Sequence, residues 1–175
     1  MTTIKGVKIS LRLDDDVHSA ILILAQKNGY ETNAYIERLI KIHAMEFGDI
    51  APIRLKQLRL VEEILAEAVK FARLVDIEGG FDKDFTLHVI ERLVKNETFR
   101  AKYEEAIGGN AYKKGLPGKS PLNMYLGWYI KNAIGAEPIL DENNKPKRVQ
   151  VREQPIQSYT LLKKPNEIPR GTPQP

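Results

Sequence analysis

The most regular pattern in the chain comes near its start, where Val7, Ile9, Leu11 and Leu13 alternate with Lys8, Ser10 and Arg12. A period of two puts the apolar residues on one face and the polar ones on the other, which predicts a half-buried strand. Asp14-Asp15-Asp16 follows, suited to cap a helix and to sit beside its positive end. Val17, Ala20, Ile21, Leu24 and Ala25 then recur at helical spacing, and Asn28-Gly29 closes that helix. Thr32 or Asn33 can cap a second helix with the stripe Ile36, Leu39, Ile40, His43 and Phe47, ended by Gly48.

A lone strand and two short helices cannot bury a core of their own. Two copies solve this by pairing their strands antiparallel above four helices. Lys8, Ser10 and Arg12 would then project outward from a two-stranded ribbon, an element that fits the DNA major groove.

The run Ile9-Ser10-Leu11-Arg12-Leu13, with Val17, Asn28-Gly29 and Asn33, resembles the Arc/MetJ ribbon-helix-helix proteins over about residues 5–47. The resemblance implies a homodimer that binds double-stranded DNA. It implies base contacts by Lys8, Ser10 and Arg12, and a phosphate clamp at the second helix start, near Thr32 and Asn33. It also implies an apolar core at Tyr30, Tyr35 and Leu39, where Arc carries a buried charged triad.

Beyond Pro52, the spacing from Leu55 to Val75 predicts one long helix closed by Gly79-Gly80, able to pack between subunits or on its own chain. Phe85 to Val94 and Phe99 to Ile107 predict two short helices, the second stopped by Gly108-Gly109. Residues 108–119 read as a basic loop; their glycines and Lys119-Ser120 lack the spacing of a phosphate-binding loop. Ser120-Pro121 reads as a helix start for the stripe Leu122, Tyr125, Leu126, Tyr129, Ile130 and Ala133. Residues 138–163 look extended, with a turn at 141–146, and predict a β-hairpin. In order of elements, residues 82–163 resemble a winged-helix arrangement, with Lys131, Arg148 and Arg152 as candidate phosphate contacts. A capping or oligomerising unit with a basic surface is the equal alternative. Residues 164–175, rich in proline, read as a disordered tail.

The expected fold class is therefore mainly α: a dimeric β-α-α ribbon-helix-helix unit (1–50), a connecting helix (51–80), and a helical domain with a hairpin (81–163). The 175 residues hold 27 basic and 23 acidic side chains, a net charge of +4 that alone proves no partner. Its distribution says more, since residues 111–175 hold 11 basic side chains against 5 acidic. The absence of cysteine excludes disulfides and thiolate chemistry. His18, His43 and His88 are too scattered for a metal set, and Asp14-Asp15-Asp16 is explained as a cap, so neither cofactor nor enzyme is expected. No apolar run reaches membrane-spanning length, and a cytoplasmic protein is expected. A DNA-binding repressor leads; a structural protein of plasmid partition or transfer, or an antitoxin, are the alternatives.

Overall fold

The computed structural model describes residues 7–28 and 30–165. Among them six helices run in order: α1 (Asp15–Asn28), α2 (Thr32–Phe47), α3 (Pro52–Ile77), α4 (Phe85–Lys95), α5 (Glu97–Ile107) and α6 (Lys119–Ala133). Four short strands follow: β1 (Glu137–Pro138), β2 (Arg148–Gln150), β3 (Ser158–Thr160) and β4 (Leu162–Lys163).

The core is built on α3, whose first turn carries Pro52 where no intrahelical N–H is needed. Its Ile64, Leu65, Ala68 and Ala72 are buried against Leu126 and Ile130 of α6, Phe85, Val89 and Ile90 of α4, and Phe99 and Tyr103 of α5. The long helix thus packs within its own chain. Asn96 ends α4 and caps α5, its Oδ1 accepting from the Phe99 amide at 3.0 Å. Gly108 ends α5 in the left-handed conformation (φ 78°), which a residue without Cβ adopts at no steric cost. Gly118 is needed for another reason: a Cβ there would lie 2.9 Å from the Ala106 carbonyl oxygen.

The N-terminal expectation is corrected. Residues 7–14 form neither helix nor strand, and the N-terminal unit is helical, not a β-α-α ribbon. Alternation makes a strand only where a second backbone accepts its hydrogen bonds and a surface covers its apolar face. Here nothing covers it: Val7 is 85%, Ile9 71% and Leu11 56% exposed. The α1 stripe is likewise largely uncovered, with Ala25 buried but Val17 and Leu24 exposed. The expected apolar trio is split, for Tyr35 is buried and Tyr30 half-buried while Leu39 is exposed.

Charge and aromatic contacts attach α1 and α2 to the rest. Glu62 of α3 is buried and receives Arg38 Nε at 3.0 Å and Lys41 Nζ at 3.4 Å. Arg38 also lies over the Tyr30 ring, which meets Tyr129 of α6 edge-on at 5.0 Å. Arg73 of α3 donates to the carbonyls of Lys27 (3.2 Å) and Ala133 (3.4 Å), placing a cation at two helix C-termini.

The C-terminal segment also departs from the expected hairpin. β1 pairs antiparallel with β4, and β2 with β3, giving two small sheets in place of one wing. Ile139 links them, donating to the Leu161 carbonyl and accepting from the Lys147 amide, both at 2.8 Å. Residues this far apart pair because Tyr159, Leu161 and Leu162 are drawn into the helical core. α6 begins at Lys119, ahead of Ser120-Pro121, and no side chain caps it. Instead buried Lys119 ties the preceding loop, donating to the carbonyls of Ala111 (2.5 Å) and Lys113 (2.9 Å). Burial, and then the charge of Lys114, lower its pKa. Lys164, read as tail, is anchored to Asp76 at 2.7 Å and to the Ile134 carbonyl at 3.1 Å; residues 166–175 lie outside the described region.

Candidate nucleic-acid interface

The candidate contact residues fall into three places. Lys8, Ser10 and Arg12 are all exposed in the segment before α1. None of them takes part in an ion pair among the described residues. The backbone joins α1 directly, with the Asp14 carbonyl accepting from the His18 amide at 2.9 Å.

Thr32 and Asn33 open α2, where free amides favour an anion. Neither caps the helix. Glu31 does, its carboxylate accepting from the amides of Asn33 (3.1 Å) and Ala34 (3.2 Å). A phosphate arriving at this helix end must displace a charge already seated there.

Lys131 and Arg148 are brought together from α6 and β2 into one cavity of about 330 Å³. Arg152 is exposed on the loop after β2 and does not line it. Lys131 lies one turn from Trp128, on the same side of α6. Arg148 Nη2 donates to Ser158 Oγ at 3.0 Å. Two buried phenols fasten the elements around the cavity. Tyr103 donates to Asn123 Oδ1 at 2.7 Å and to the Pro155 carbonyl at 3.3 Å, fastening α6 to the loop between β2 and β3. Tyr159 donates to Asp84 at 2.6 Å, joining β3 to the start of α4. Burial first, and for Tyr159 the Asp84 carboxylate after it, push each pKa up to about 12.

The sequence identified both cations of this cavity, and Trp128 on the helix face of Lys131, but not the meeting of Lys131 with Arg148, and it missed Ser158 and Tyr159 as their neighbours. The i, i+3 spacing of Trp128 and Lys131 was the signal for their shared face. A second, larger concavity of about 850 Å³ runs along α3 beside Phe71, Leu74 and Arg92, with the Arg92 guanidinium 5.0 Å from the Phe71 ring centre. No group of three or more potential metal ligands occurs among the described residues, and no described helix is long and apolar enough to cross a membrane. Comparison with protein-family models, with curated proteins and with solved structures returns no match to this chain.

Proposed function

We propose that the protein is a cytoplasmic, homodimeric DNA-binding regulator without enzymatic activity, and that its N-terminal segment and helical pair carry the readout. One observation supports this above the others. A polar and apolar alternation, exposed on both faces, leads into helices whose apolar residues are also open to solvent, Ile23 and Phe47 among them. Large apolar side chains exposed in this number mark a place for another chain. A second copy can cover Val7, Ile9 and Leu11, which are open to solvent in the single chain.

In this reading Lys8, Ser10 and Arg12 supply contacts to base edges, and Arg12 has the donor fork that pairs with guanine. The backbone at Thr32 and Asn33 holds a phosphate once the Glu31 carboxylate has swung away. The likeness to Arc/MetJ proteins in residues 5–47 supports the same roles.

The test is selection of bound duplexes from a random pool, followed by gel-shift titration of the parent and Arg12→Ala. The variant is expected to lose about 1–3 kcal/mol on the selected site for a good bidentate contact, and to keep its thermal midpoint. Failure to retain any duplex at low salt, or equal affinity and preference in the variant, overturns the proposal. Sedimentation must show a dimer; a monomer at all concentrations overturns the assembly.

A further inference from the structure

The cavity between α4, α6 and the β2–β3 sheet has a chemical character of its own. Its lining contains Lys131 and Arg148 and no carboxylate. Neither cation belongs to an ion pair among the described residues. Two positive charges facing one concavity call for an anion. The remaining wall is largely apolar, with Trp128, Ile156 and Leu162, and the hydroxyl residues Ser158 and Thr160 stand beside it. That combination calls for a flat apolar body with polar edges.

Gly127 adds an independent observation. A glycine inside a helix costs stability relative to alanine, and here no steric need explains it. A Cβ would meet nothing closer than Thr86 Cγ2 at 3.8 Å. The glycine lines the cavity and keeps its space open.

We infer that this cavity binds a free mononucleotide, its phosphate held by Lys131 and Arg148 and its base lying against Trp128. A phosphate monoester carries a charge of about −1.5 to −2 at neutral pH, which matches two cations better than a single carboxylate does. The Ser158 hydroxyl holds Arg148 in place for contact with phosphate oxygens. Bases stack on aromatic side chains whatever their sequence. The volume, near the lower end for small-ligand sites, suits one nucleotide unit. A cavity of this size takes one nucleotide and not a duplex. Nothing in this inference depends on DNA binding by residues 7–33.

Trp128 is the only tryptophan in the chain, so its fluorescence reports on this cavity alone. Full-length protein is titrated with adenosine 5′-monophosphate, adenosine or inorganic phosphate, with calorimetry alongside. The monophosphate should quench saturably, and adenosine and phosphate should each bind at least about tenfold more weakly. Lys131→Ala and Arg148→Ala should each weaken the monophosphate about tenfold. Gly127→Leu should abolish binding while its thermal midpoint falls no lower than the parent's. Should that variant fail to fold, the two cation variants still decide, because neither side chain is buried. Absence of saturable binding by both readouts, adenosine binding as tightly as its monophosphate, or cation variants that bind like the parent would overturn the inference. So would displacement of the monophosphate by duplex DNA together with a duplex affinity lowered about tenfold in Lys131→Ala, since the cations would then serve a strand phosphate.

Discussion

Replacing Arg38 by Met tests how the N-terminal helical pair is held to the rest of the protein. Glu62 is the one carboxylate buried at that junction among the described residues, its side chain 10% exposed, with Arg38 at 3.0 Å and Lys41 at 3.4 Å. Breaking a fully buried pair costs about 3–5 kcal/mol, because the remaining charge is left without compensation. Arg38 and Lys41 are 24% and 30% exposed and Lys41 survives the change, so the expected loss falls to about 2–3 kcal/mol. Loss of the guanidinium over Tyr30 adds about 0.5–1 kcal/mol. Glu62→Leu should cost less, about 1–2 kcal/mol, since the two cations left behind can reach water. The double variant should return to within about 1 kcal/mol of the parent, because an apolar pair of similar volume replaces a desolvated ionic one. Urea unfolding of the four proteins at one fixed concentration gives the coupling energy directly. A coupling below about 0.5 kcal/mol, the usual limit of additivity, would refute the reasoning.

Tyr103→Phe removes a buried hydroxyl that donates to Asn123 and the Pro155 carbonyl, and should cost about 1–2 kcal/mol in urea unfolding. The same phenol sets an alkaline limit. Its pKa is raised from 10.0 to about 12, so the folded state keeps a proton that the unfolded state releases. That stabilisation is intact below pH 10 and is lost as the pH rises toward 12; Tyr103→Phe should show a shallower decline of stability across this window in pH-resolved melts. Gly118→Ala should destabilise by about 1–3 kcal/mol, since its Cβ would press on the α5 backbone and force it to shift. Glu31→Ser retains a neutral cap but removes the charge seated on the Asn33 and Ala34 amides. It should tighten duplex binding by about 0.3–1 kcal/mol in gel-shift titration, and unchanged affinity would take the α2 terminus out of the interface.

The helix bodies were legible because their apolar stripes declare themselves locally, whereas the starts of α2 and α6 were not, since Glu31 caps the one and no side chain caps the other. The Leu55 to Val75 stripe and the glycine after Ile107 fix a 3.6-residue period and its end with no information from elsewhere in the chain. Residues 7–13 show the limit of that reasoning. Their alternation is equally regular, but a strand is completed by a second backbone, and the chain supplies none to this segment. The C-terminal strands fail for the complementary reason. Arg148 to Gln150 looked ready to pair with residues 138–140, yet burial of Tyr159 and Leu162 against the helices draws β3 and β4 in as partners. The candidate sites divide along the same line. Sequence alone marked Lys131 and Arg148 as cations in a basic region, because charge is a property of each residue. That they share a concavity with Trp128 and meet no carboxylate there was decided only by the packing of α6 against the sheets, which brings side chains of α6 and β2 to one wall.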